Sequence, residues 1–243
     1  MTPSVRRKLI AWVLLGSGVL CQSGTWAADF IQGDDFESAP DCNGVTAPGI
    51  AVSASPAGRS VILGTQHRLL IKLRSCGYAG PVTLSVNGTA ASWSTTLDPP
   101  MLALASNASA ESALSIQIPT DGDAGAFVLQ VSAQGSGTTG SASANLDVLK
   151  QVIVPFADGT GGGDHNFPAM LIVKLGTTVR FVNYDSTSVH QIHAAYPNQG
   201  FPHGSSDIPF GGEFDVTPTV PGMYDYYCHD HMVAAGSGKV LVQ

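Results

Sequence analysis

The run Pro221-Gly222-Met223-Tyr224-Asp225-Tyr226-Tyr227-Cys228-His229-Asp230-His231 ends in a thiol and two imidazoles. Cys228 and His231 stand three residues apart at the mouth of a hairpin loop, so both can reach one soft-to-borderline metal ion from one side. A third donor, His190, lies upstream in the run Phe181-Val182-Asn183-Tyr184-Asp185 … Val189-His190. Two imidazole nitrogens and one thiolate sulfur form the trigonal set that suits copper in an electron-transfer site.

Working outward, the chain begins like a secreted protein. Arg6, Arg7 and Lys8 form a positive start, Leu9 to Leu20 an apolar stretch too short to span a bilayer comfortably, and Thr25-Trp26-Ala27 a small-residue cleavage site. Residues 1–27 are therefore expected to be a signal peptide, which implies a periplasmic or secreted protein. A lipoprotein reading fails, because Leu20 precedes Cys21 where a small residue is needed. No later stretch is apolar enough for a membrane span. Cleavage would leave 216 residues with 8 basic against 18 acidic side chains, a net charge of −10. Such a surface argues against nucleic acid and anionic membranes as partners and allows a basic protein partner.

Cleavage also removes Cys21 and leaves Cys42, Cys76 and Cys228. In an oxidising compartment two of three pair. Cys42 and Cys76 lie together in the N-terminal half, so their pairing is expected, with Cys228 left as a thiolate for a metal.

The mature length suits two sandwich domains of roughly 100 residues each. Residues 28–45 are acidic with Gly, Pro and Asn, and read as a leader. Residues 46–149 carry short alternating runs separated by turn-rich segments, with expected strands at 60–63, 68–73, 81–86, 113–118, 126–131 and 144–148. No helical period persists over three turns. A composition shift near Lys150 marks the start of a second domain, 150–243. There the run from Leu171 to Asn183 reads as a strand, a tight turn at Gly176 and a second strand. The fold class is all-β.

Two resemblances follow. Gly77-Tyr78-Ala79-Gly80-Pro81-Val82-Thr83-Leu84-Ser85-Val86 and Asp123-Ala124-Gly125-Ala126-Phe127-Val128-Leu129-Gln130-Val131 resemble strands of bacterial immunoglobulin-like domains, over about a hundred residues and with generic motifs. That resemblance implies a scaffold, spacer or interaction module and carries over no catalytic residue; His67, its lone histidine, reads as a surface or packing residue. The second half resembles the cupredoxins, blue copper proteins of the plastocyanin and azurin kind. Val179-Arg180-Phe181-Val182-Asn183 followed by His190, the run from Pro221 into Cys228, the Cys228-x-x-His231 loop and the closing Gly238-Lys239-Val240-Leu241-Val242 occur in the family's order. The resemblance implies a Greek-key sandwich holding one copper per chain, with His190, Cys228 and His231 as equatorial ligands. His193 is an alternative to His190, since the gap from Asn183 is one residue longer than usual. Gln191 falls where the family has a residue tying the two ligand loops together.

The chain departs from the family at the axial position. Methionine is expected about five residues after the second histidine; counting back from Gly238 places Gly236 or Ser237 there, while Met232 directly follows His231. A three-coordinate site, or one completed by water, a carbonyl or another side chain, is the expectation, with altered potential and colour.

His165, His193, His203 and His229 also fall in this half. Alternation along a strand points His229 away from a metal on Cys228. The Cys-His pair resembles the bridge between two copper centres in nitrite reductases and multicopper oxidases, so His193 and His229 are candidates for a second metal. Exposed histidines serving only as polar surface are the plainer alternative. No paired carboxylates, nucleophile elbow or phosphate loop appears. The chain thus reads as a one-electron carrier working with a redox partner protein, not an enzyme. The alternatives are a copper oxidoreductase with an open axial position or second copper, a scaffold or adhesion protein with a structural cupredoxin shell, and a copper-sequestering protein.

Overall fold

A computed structural model describes residues 40–156, 170–194, 206–229 and 238–243. The expected signal peptide, residues 28–39 of the leader, and His165, His203, His231, Met232, Gly236 and Ser237 lie outside the described residues.

The protein is all-β. The first nine strands are β1 Gly49–Ser55, β2 Gly58–Ile62, β3 Gln66–Cys76, β4 Gly80–Asn87, β5 Ser94–Asp98, β6 Met101–Leu104, β7 Ser109–Gln117, β8 Gly125–Gly135 and β9 Thr138–Leu149. They form two sheets, ordered β1-β3-β7-β5 and β2-β9-β8-β4-β6. Alternation builds the core between them: Leu69, Ile71 and Leu73 of β3 point inward, as do Ala144, Leu146 and Val148 of β9. Cys42 is bonded to Cys76 at the end of β3, with 5.7 Å between the α-carbons. This is the pairing expected from the sequence, and it ties the start of the described chain to the first sheet. All six expected strands of this half are present, and β1, β5 and β6 are additional. β1 is built mostly of small residues, and β5 and β6 are short, half-exposed strands around Pro99 and Pro100, so none shows a strong apolar alternation.

The remaining strands are β10 Gln151–Phe156, β11 Leu171–Val173, β12 Thr178–Asn183, β13 Ile192–Ala194, β14 Glu213–Val216, β15 Gly222–Cys228 and β16 Gly238–Val242. They too make two sheets, β10-β12-β14 and β11-β16-β15-β13. The tight turn expected at Gly176 separates β11 from β12; its φ of 74° is open to glycine at no steric cost. No strand is expected from the sequence over β10, which contains Pro155. It is nonetheless a strand, with Val152, Val154 and Phe156 buried and Pro155 outward. It lies at a sheet edge, where the missing donor of proline is tolerated.

Lys150 alone separates β9 from β10. The two halves also meet through a hydrogen bond from Leu63 N to Gln151 O of 3.0 Å and an ion pair between Asp123 and Lys174. These contacts gather at the beginning of β10 and the end of β11. β10 and β12 run parallel, with Gln151 beside Thr178 and Phe156 beside Asn183. Five residue steps of about 3.3 Å therefore place the Phe156/Asn183 end about 17 Å from the junction. The Cys228 end of β15 lies at that distal end.

Candidate metal centre

Three elements converge on Cys228. β15 alternates so that Tyr224, Tyr226 and Cys228 face inward, and the Cys228 thiol is buried and outside the disulfide. β12 delivers Asn183 to the start of the segment leading to His190. β13 pairs with β15 so that Ile192 sits opposite Cys228 and His193 opposite Tyr227.

His190 is fully buried, and its Nδ1 stands 3.6 Å from Cys228 Sγ. The Gln191 backbone N–H is aimed at the same sulfur at 3.4 Å, and the His229 N–H donates to Gln191 O at 2.9 Å. Gln191 thus ties the two segments together through its backbone. Phe156 packs against the His190 ring with 4.8 Å between centroids. Phe181 stacks beside Phe156 and meets the Tyr226 ring edge-on at 5.2 Å, giving the pair an apolar floor.

The other face of the imidazole is polar. Its Nε2 lies 3.2 Å from Asp185 Oδ2, and both side chains are buried, at 0% and 1% exposure. The second carboxylate oxygen, Oδ1, accepts from Thr187 N at 2.8 Å and from Thr187 Oγ1 at 2.6 Å. These two donors, with help from His190, hold the Asp185 carboxyl down at about 2 against the opposing effect of burial. Asn183 secures the segment: its Nδ2 donates to Ser188 O at 2.9 Å and Ile208 O at 2.8 Å, and its Oδ1 accepts from Asp185 N at 2.7 Å. His190 and Ile208 exchange backbone hydrogen bonds, closing the pocket from the 206–212 side.

The Cys228–His190 pair fits a first-row metal. Bonds of about 2.3 Å to sulfur and about 2.0 Å to imidazole nitrogen, taken from zinc sites, sum to more than the Sγ–Nδ1 separation. One ion can therefore bond both at an angle of about 114°, between tetrahedral and trigonal. Among the described residues no group of three or more His, Cys, Asp or Glu side chains is placed to hold an ion. The described portion of the site is this pair.

His193 goes elsewhere. It shares the Tyr227 face of β15, opposite to Cys228, with its ring 5.6 Å from Tyr227 and 4.3 Å from the exposed His229. The structure thus brings His190 to the thiol and gathers His193 with His229 on the reverse face. Asp185, Thr187, Phe156 and Ile208 received no role from the sequence. Asp185 stands in the quoted upstream run, but nothing in its spacing shows that it meets His190.

Fold and site together define an all-β protein of four sheets with a buried thiol–imidazole pair at one end of its second half. No family model matches the chain. Among solved structures it is similar in part to a purple cupredoxin from Nitrosopumilus maritimus, at 27% identity and a TM-score of 0.33, over 38% of this chain and 99% of that one. A reduced mutant of amicyanin matches at 25% identity and a TM-score of 0.31, over 39% of this chain and 83% of that one. A Cu(I) form of another amicyanin mutant at pH 4 matches at 26% identity and a TM-score of 0.32, over 38% of this chain and 82% of that one.

Proposed function

We propose that this chain is an extracytoplasmic one-electron carrier with a single copper held by His190, Cys228 and His231. The observation that carries this reading is the buried Cys228 Sγ facing His190 Nδ1 at 3.6 Å, with the other imidazole nitrogen already engaged. Copper, when bound, supplies the one-electron couple. The chain supplies a dry, preset cradle: Phe156 and Phe181 exclude water, and the Asn183 network holds the histidine segment. No methionine follows at the usual axial spacing, where Gly236 or Ser237 falls, so the site is three-coordinate or completed by water, a carbonyl or another side chain. The disulfide fits an oxidising compartment, and residues 1–27 fit export. Among the described residues no helix is long and apolar enough to cross a membrane.

In the same reading, residues 46–149 are an immunoglobulin-like spacer and 150–243 a cupredoxin domain. The spacer joins the end about 17 Å from the copper pole, by strand rise, which leaves that pole open to a redox partner, a basic one given the acidic chain.

The experiment is Cu(II) addition to the mature protein, followed by visible absorption, electron paramagnetic resonance and metal analysis on one sample. An intense red-absorbing thiolate band with one copper per chain, lost in Cys228→Ser, supports the carrier. A weak spectrum with ordinary copper splitting, or no copper bound, refutes it. The 4.3 Å His193–His229 ring pair favours a second reading, an oxidoreductase with a further copper on the reverse face of β15. Two coppers per chain, falling to one in His229→Ala, would establish it.

A further inference from the structure

We propose that Asp185 is a positioning residue that locks His190 in the Nε2–H tautomer and so presents the Nδ1 lone pair to the metal beside Cys228. The inference rests on the copper reading above, but its first test does not require copper.

A neutral imidazole carries one N–H, and the partner of one nitrogen sets the role of the other. Asp185 Oδ1 is occupied by the two Thr187 donors, at 2.8 and 2.6 Å. That leaves Oδ2, 3.2 Å from His190 Nε2, as the acceptor for an imidazole N–H. An ionised carboxylate only accepts, so the proton stands on Nε2 and Nδ1 is left bare toward Cys228 Sγ. The carboxylate itself has no freedom to turn away. Thr187 grips it from one side, and the Asp185 backbone N–H donates to Asn183 Oδ1 at 2.7 Å. A buried carboxylate is costly unless compensated, and here its hydrogen-bond donors are a threonine and an imidazole. A cation on the far side of His190 would complete that compensation. Outer partners of this kind orient metal-binding histidines and raise their basicity.

The informative variant is Asp185→Asn. If the amide oxygen keeps the two Thr187 donors, the NH2 group turns toward His190 Nε2 and donates to it. The imidazole proton then moves to Nδ1, the nitrogen the metal needs. Ring 15N–1H correlation spectra of the apoprotein read the tautomer directly. The expected result is Nε2–H for His190 in the native protein and Nδ1–H in Asp185→Asn. Cu(II) affinity should fall 10- to 100-fold in the variant. If the loss falls on Cu(II) and spares Cu(I), each tenfold raises the one-electron potential by about 59 mV. Thr187→Val removes one donor to Oδ1 but leaves Thr187 N–H and the Asp185–His190 contact, so it should keep the Nε2–H tautomer.

Nδ1–H in the native apoprotein overturns the proposal outright, even if Asp185→Asn does not fold. An unchanged tautomer and affinity within twofold in Asp185→Asn also overturns it. A native protein that shows the Nε2–H tautomer but binds no copper refutes the copper reading and leaves the tautomer lock standing.

Discussion

Replacing Asn183 should unlock the histidine segment while leaving the N-terminal half intact. Its side chain is fully buried and makes three hydrogen bonds of 2.7 to 2.9 Å, to Ser188 O, Ile208 O and Asp185 N. Asn183→Ala leaves Ser188 O and Asp185 N without this partner, while Ile208 O keeps the His190 N–H. At about 1–3 kcal/mol for each of these two orphaned groups, and allowing water to relieve part, the cost is about 2–5 kcal/mol. Asn183→Asp keeps the size and the acceptor for Asp185 N, but sets an oxygen against the Ser188 and Ile208 carbonyls. It should therefore destabilise by several kcal/mol despite being isosteric. Urea unfolding read by tyrosine near-UV ellipticity reports mainly this half, where Tyr184, Tyr224, Tyr226 and Tyr227 lie, against Tyr78 in the other. Fluorescence of Trp93, packed on Phe127 at 4.5 Å, reports the other. The tyrosine transition should move to lower urea and the Trp93 transition stay in place. An Asn183→Asp protein within 1 kcal/mol of native would show that filling space, not donating hydrogen bonds, is what this residue does, and would refute the reasoning.

Reduction of the Cys42–Cys76 bond frees a loop spanning a separation of 34 residues, so the Trp93 transition should lose about 4 kcal/mol by loop entropy, measured with and without reductant. Gly238→Ala sets a Cβ 2.4 Å from the buried Tyr226 ring opposite it, so urea titration should show a loss of about 1–3 kcal/mol in the tyrosine transition. Asp215 is held below the usual carboxylate range by its paired hydrogen bonds with Arg180. A depressed folded value stabilises above the unfolded value of about 3.9 and loses that contribution as pH falls through the lower one. Both side chains are a third or more exposed, so Asp215→Asn should lower stability at pH 7 by at most about 1 kcal/mol and flatten the acid limb of the stability–pH curve.

The sequence by itself determined the all-β class, the strands with clear alternation, the turn at Gly176 and the pairing of Cys42 with Cys76. Each depends on a local pattern or on residue type. Cys228 also stood out locally, as a thiol beside two imidazoles at the end of a strand. Strand pairing decided the rest. Whether His190 or His193 meets the thiol was open in the sequence, because the gap after Asn183 permits either. The β13–β15 register settled their placement, since Ile192 opposite Cys228 puts His193 on the reverse face. No strand was expected over β10, whose Pro155 only an edge position permits. Asp185 reads as an ordinary loop carboxylate until Asn183 and Ile208, 25 residues apart, close the pocket and turn it toward His190. Side-chain type and spacing are local properties of the chain, whereas burial and facing are set by which distant strands pair.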